Sequence, residues 1–220
     1  MTFKKHIYFV PGMAANSKIF DYLNLPSSLY ELHFLEWLIP TSKNETLESY
    51  AQRMALLVTH KNAVLIGVSL GGIMVQEMSV FLNPEKIIII SSIKHPSELP
   101  KRLLFFKKTK LYWLFPTKLV THLEKLIPFI FIPILKKRVT LYQRYFAIKN
   151  EIYINWAIHQ ALNWNPTRAI QNIAHIQGTR DHIFPSNYVK NPILISKGTH
   201  IMILTKAKEI SAIITNLINC

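Results

Sequence analysis

One stretch of this 220-residue chain has a specific chemical reading: Gly67-Val68-Ser69-Leu70-Gly71, followed by Gly72. A serine hydroxyl is a weak nucleophile until a base takes its proton and the backbone holds it clear of its neighbours. A tight strand-to-helix turn does the second, and residues two positions either side must be small for that turn to close. The apolar run Ala63 to Gly67 reads as the strand, and Gly71 to Leu82 as the helix, ended by Asn83-Pro84. Ser69 is then expected above the edge of a sheet, with the Leu70 N–H at a helix N-terminus. The chain has only six glycines, so roughly 0.01 chance occurrences of G-x-S-x-G are expected in it. The pattern predicts a nucleophilic serine.

The elements that must position it follow from periodicity. His6 to Val10, residues 31–38, Ile87 to Ile90, Ile173 to Gly178 and Ile193 to Ser196 are further short apolar runs with strand character. Ile87 to Ile90 is continuously apolar, as in a strand buried on both faces of a parallel sheet. Ser17 is placed to cap a short helix through Phe20 and Leu23. Thr46 to Val58 carries Leu47, Tyr50, Met54 and Leu57 at helical spacing, and Ile210, Ile213, Ile214, Leu217 and Ile218 form a C-terminal stripe. This alternation predicts an α/β fold: an open, mostly parallel sheet of about six strands with helices on both faces. Residues 97–168 break the alternation and read as a helical cap inserted after the fourth strand, leaving 1–96 and 169–220 as the core.

Charge sorts the same way. The net charge is +14, and residues 101–149 hold twelve Lys or Arg against one acid, Glu124, so +11 of it sits in the insertion. Ten aromatics share that segment. Its longest uncharged apolar run, Leu126 to Leu135, is broken by Pro128 and Pro133 and has ten residues, where a spanning helix needs about twenty. The N-terminus has no signal-peptide pattern, and a single cysteine, Cys220, excludes an intramolecular disulfide. A cytoplasmic protein is expected. Half of the residues are apolar, enough for a substantial core and too many for a disordered chain. The nine histidines show no HExxH-type ligand spacing, so no metal site is expected. The basic charge would suit phosphates, but no nucleic-acid-binding motif accompanies it, and no nucleic-acid partner is expected.

With Ser69 on its turn, the chain resembles the α/β-hydrolase superfamily over nearly its whole length. That family orders its triad as nucleophile, acid, histidine. Of the two aspartates, Asp21 and Asp181, only Asp181 follows Ser69, in Gly178-Thr179-Arg180-Asp181-His182-Ile183-Phe184-Pro185, which is similar to the family's G-x-x-D-x-x-x-P acid turn. Gly198-Thr199-His200 is similar to its G-x-H loop before the last helix. The resemblance therefore implies Ser69, Asp181 and His200 as the triad, with His182 a competitor poorly placed to serve as base. It further implies an oxyanion hole from the Leu70 and Met13 N–H groups, with Gly12 shaping the loop at the substrate and Pro11 standing where family members often have histidine. The implied chemistry is acyl transfer from a carboxylic ester or thioester to Ser69, then hydrolysis, without a cofactor.

Trp156 and His159 share a helix face and are candidates to line the acyl pocket. The basic, aromatic cap suggests an anionic or lipid-like substrate, or weak contact with a membrane surface through Leu126 to Ile132 and Lys136-Lys137-Arg138. Lyases and C–C hydrolases of the same superfamily use similar triads, and a non-catalytic, basic peripheral binder is the reading from a different class.

Overall fold

The computed structural model describes residues 4–114, 144–166, 168, 170 and 172–219. Six strands form one sheet: β1 (Lys5–Val10), β2 (Tyr30–Phe34), β3 (Val64–Val68), β4 (Lys86–Ile90), β5 (Ile173–Gly178) and β6 (Ile193–Ile195). Their order is β2-β1-β3-β4-β5-β6, and every neighbouring pair is parallel. The chain steps outward from β1 to β2, then crosses back over β1 to β3 and proceeds the other way. At such a reversal the loops leaving β1 and β3 diverge, and a crevice opens beyond their C-terminal ends.

Six α-helices are described: α1 (Leu47–Ala55), α2 (Leu70–Met78), α3 (Lys101–Thr109), α4 (Glu151–Asn163), α5 (Met202–Thr205) and α6 (Ala207–Asn219). Strand alternation divides the core into two layers. Tyr8, Val10, Leu65, Ile87 and Ile89 face α1, α2 and α4, whereas Ile7, Phe9, Ile66, Ile88, Ile90 and Ile176 face α5 and α6. All five residues of β3 are buried, as a central strand covered on both faces requires. On α6 the buried side chains include Ile210, Ile214 and Ile218, one per turn.

Local chemistry sets the helix ends. Thr46 caps α1 by accepting the Ser49 N–H at 3.1 Å. The short 3₁₀ turn Ser17–Phe20 is capped by Asn16, whose side chain accepts from the Lys18 N–H, so the cap lies one residue before the expected Ser17. Strand β2 ends at Phe34 rather than continuing to Leu38: beyond it Leu35 and Trp37 turn into the α1 layer.

Between β4 and β5, α3 leads through a 3₁₀ turn, Leu111–Leu114, and the chain returns as α4. Helix α3 has no buried residue and carries Lys107 and Lys108 in its last turn, where the helix dipole favours cations. Helix α4 is integrated more deeply, with Tyr153 and Trp156 in the same apolar cluster as α1 and α2. Leu126 to Ile132 and Lys136-Lys137-Arg138, on which the membrane-contact expectation rests, lie outside the described residues. No described helix is long and apolar enough to cross a membrane.

Because Ile214 is fully buried between α6 and the sheet, Ile214→Ala should cost about 2–5 kcal/mol in urea unfolding. Leu56→Ala, at a side chain 78% exposed, should stay within about 0.5 kcal/mol. Equal effects at the two positions would contradict this layer assignment.

Candidate active site

Strand β3 stops at Val68, α2 starts at Leu70, and Ser69 alone makes the turn, with φ 54° and ψ −118°. A non-glycine residue held there costs on the order of 1–3 kcal/mol, so its surroundings must over-determine it. They do so from three strands. The Ser69 N–H donates to Ile90 O at 2.9 Å, and Ser69 O accepts from Gly72 N–H at 2.9 Å and from Ser92 Oγ at 2.7 Å. A Cβ at Gly67 would overlap the backbone of Gly71 and Gly72, and one at Gly71 the carbonyls of Val10 and Pro11. One at Gly72 would overlap Ser92. These glycines have ordinary φ values; what they supply is room for chain to lie against chain.

The turn lifts the Ser69 hydroxyl into a line of hydrogen bonds. Ser69 Oγ lies 3.0 Å from His200 Nε2, and His200 Nδ1 lies 2.9 Å from Asp181 Oδ2 and 3.2 Å from Oδ1. With Nδ1 protonated, the imidazole donates to the carboxylate and presents its Nε2 lone pair to the hydroxyl. The Asp181 side chain has no solvent exposure. Its Oδ1 accepts the N–H groups of Ile183 at 2.7 Å and Phe184 at 3.0 Å, and its Oδ2 accepts from Gln177 Nε2 at 3.0 Å. Burial alone would raise its pKa, but the hydrogen bonds and charge of His200 and the Phe184 and Ile183 amides outweigh burial and hold it below the usual value. Asp181 is therefore a carboxylate at neutral pH, fixed in the orientation that selects one imidazole tautomer.

A cavity of about 710 Å³ opens over Ser69 and His200. Its walls are largely apolar and include Met13, Ile19, Tyr145, Phe146, Ile203 and Leu204, with Arg180 and His182 among the polar lining. The loop after β1 forms one wall. The Trp37 indole N–H donates to Gly12 O at 2.8 Å, and the Tyr153 hydroxyl accepts the Ala14 N–H at 3.3 Å. These two aromatics brace the loop in which Pro11 stands. Leu70 is the first residue of α2, and the first N–H groups of a helix have no intrahelical acceptor.

No protein-family model matches the chain, and no curated protein matches it in sequence. Its architecture is widely shared. A bromoperoxidase from Bacillus anthracis superposes with a TM-score of 0.69 at 15% identity, over 99% of this chain and 93% of that one. An esterase from Exiguobacterium antarcticum gives 0.69 at 12%, over 100% and 94%. A lipase-esterase related protein from Clostridium acetobutylicum gives 0.64 at 22%, over 97% and 94%. The chain has the α/β-hydrolase fold.

Within this α/β-hydrolase fold the residues expected from sequence separate into two groups. Ser69, Asp181 and His200 come together, and Gly12 and Met13 line the same cavity, with Leu70 next to Ser69 in the chain. His182 also lines the cavity, but the imidazole bonded to both Ser69 and Asp181 is that of His200. Trp156 and His159 do not line it. Trp156 is buried, its indole N–H bonded to Glu45 O at 2.7 Å and its ring 4.3 Å from that of Tyr50. His159, on α4, faces the Leu111–Leu114 turn, 3.0 Å from the Tyr112 hydroxyl, and burial lowers its pKa. Their helix face meets other helices, and a large aromatic with a satisfied N–H is core material there.

The sequence reading missed Trp37, Tyr153 and Gln177. Only Gln177 left a signal: a polar residue inside the apolar strand β5. It is fully buried and links Asp181 to the Phe184 carbonyl, with His175 Nε2 3.2 Å from its Oε1.

The depressed pKa of Asp181 has a consequence for stability. A carboxyl whose folded pKa lies below its unfolded pKa stabilises the fold above the unfolded value, and that contribution is lost as pH falls through the folded pKa. In urea unfolding, the difference between wild type and Asp181→Asn should therefore shrink as the pH is lowered from about 5. A difference that stays constant on acidification would mean that the fold does not favour the ionised Asp181.

Proposed function

We propose that the protein is a serine hydrolase that cleaves carboxylic esters or thioesters through an acyl-enzyme on Ser69. The observation that carries this reading is the hydrogen-bonded sequence Ser69–His200–Asp181, with its hydroxyl at the floor of an apolar cavity. His200 Nε2 takes the Ser69 proton as Oγ attacks the acyl carbon, and Asp181 stabilises the imidazolium that results. The Met13 and Leu70 N–H groups hold the tetrahedral oxyanion. Collapse expels the alcohol or thiol, which receives the proton from His200. Water, activated by the same imidazole, then attacks the acyl-enzyme and frees Ser69.

The apolar walls favour a hydrocarbon acyl group, and Arg180 at the same cavity would suit an anionic portion of the substrate. The similar structures include esterases as well as bromoperoxidases, which supports a hydrolase without selecting the leaving group.

Intact-mass measurement after incubation with a fluorophosphonate should show one adduct on wild type and none on Ser69→Ala. On an ester and thioester panel of rising chain length, Ser69→Ala should lower the rate by about 10⁴ to 10⁶. Equal rates for the two proteins would reject Ser69 as the nucleophile. No adduct and no turnover of even a small phenyl ester by folded wild type would favour a non-catalytic binder.

A further inference from the structure

At the N-terminal end of the sheet, away from the cleft, three histidines meet. His6 lies on β1, His33 on β2, and His60 in the turn between α1 and β3. The parallel register sets His6 opposite Glu31 and Tyr8 opposite His33, so the two-residue period of a strand brings these four side chains to one face. One ligating nitrogen from each imidazole lies within 4.8 Å of the other two, and among the described residues this is the one such group of three or more. His6 Nδ1 and His33 Nε2 are 3.0 Å apart. The Glu31 carboxylate reaches both, at 3.8 Å from the first and 3.9 Å from the second.

The 3.0 Å between His6 and His33 is close to what a coordination sphere requires, whereas the 3.8–3.9 Å to Glu31 and the separations of up to 4.8 Å to His60 must shorten when an ion binds. Four donors at about 2.0–2.1 Å in a tetrahedron stand about 3.3 Å from one another. The third imidazole comes with its own support. His60 Nδ1 lies 2.6 Å from the hydroxyl of Tyr8, which also accepts the Thr59 N–H at 3.2 Å. A hydrogen bond at one ring nitrogen selects the other as ligand, here Nε2. The His60 ring stacks on His6, with centroids 3.5 Å apart and planes at 9°. Parallel rings hold their lone pairs in parallel planes, so chelation needs His60 to turn about χ2, a torsion with a broad energy profile. The His6 and His33 side chains are 26% and 23% exposed, which leaves an ion a path in.

We propose that His6, His33 and His60, completed by Glu31, form a structural binding site for a divalent transition-metal ion, Zn²⁺ above others, that ties β1, β2 and the turn before β3. Neutral imidazoles with one carboxylate match the borderline softness of Zn²⁺ and its indifference to geometry. The site is independent of the hydrolase reading, since none of its residues touches the cleft.

The test is titration of tag-free, chelator-treated protein with Zn²⁺ by calorimetry and with Co²⁺ by visible absorption. One equivalent should bind, with the intense bands of tetrahedral Co²⁺ and a rise in Tm on adding Zn²⁺. His33→Gln and His60→Gln should each weaken binding by about a hundredfold or more, and Tyr8→Phe by about tenfold. His200→Ala should bind as wild type does, which separates this site from the His200–Asp181 pair. In wild type, the ring ¹⁵N signals of His6, His33 and His60 should shift with Zn²⁺, a readout that holds even if a variant fails to fold. The proposal is overturned if no stoichiometric ion binds, if these signals do not move, or if binding is lost in His200→Ala and kept in His33→Gln.

Discussion

The site rests on a single residue held in a conformation it would not choose. Ser69 occupies left-handed backbone space between β3 and α2, and its neighbours supply the compensation. The end of β1 lies against Gly71, Ser92 after β4 lies against Gly72, and the Ile90 carbonyl takes the Ser69 N–H. Three adjacent strands of the sheet thus converge on one turn. Had Gly67 or Gly71 carried a side chain, backbone would have to move away from backbone, and at Gly72 the Ser92 side chain that bonds Ser69 O would be displaced.

The same ends of the strands collect the other polar groups. Asp181 follows β5 and His200 follows β6, so His200 reaches Ser69 at 3.0 Å and Asp181 reaches His200 at 2.9 Å. Asp181 is withdrawn from solvent, yet every contact around it donates: two backbone amides, the Gln177 amide and the imidazole. A buried charge is tolerable under that condition, because the donors replace its hydration. Burial then works for the site, since each of these interactions is stronger away from water.

The cavity beside this relay is apolar for a related reason. Its walls are the upper ends of the layer that packs α5 and the Ser17–Phe20 turn on the sheet, joined by Tyr145 and Phe146 from the segment between α3 and α4. Ile19 and Ile203 serve both roles, as core residues with one side facing the opening. The opposite layer is closed by aromatics, among them Trp37, Tyr50, Tyr153 and Trp156. Two of these, Trp37 and Tyr153, reach through to the Gly12 loop and stabilise it from behind.

How much of this was legible depended on the range of the interaction. The alternating strands and helices, the buried Ile87 to Ile90 run, the α6 stripe and the turn at Ser69 are consequences of period and local sterics, and the linear order of residues carries them. Asp181 and His200 were legible as short motifs by resemblance; their meeting with Ser69 was not, since His200 lies 131 residues away and only the sheet order brings it back. Trp156 and His159 show the limit of a helix-face argument: spacing placed them on one face, but what that face meets is set by packing, and it meets α1 and the Leu111–Leu114 turn rather than the cavity. The histidines make the point most sharply. His6, His33 and His60 stand 27 residues apart in succession, with no ligand spacing to recognise, and a parallel register and one turn gather them. The elements and the position of the serine turn were determined by the sequence alone because their physics is local; the strain held at Ser69, the relay, the cavity wall and the histidine cluster were decided by tertiary structure because their partners are distant along the chain.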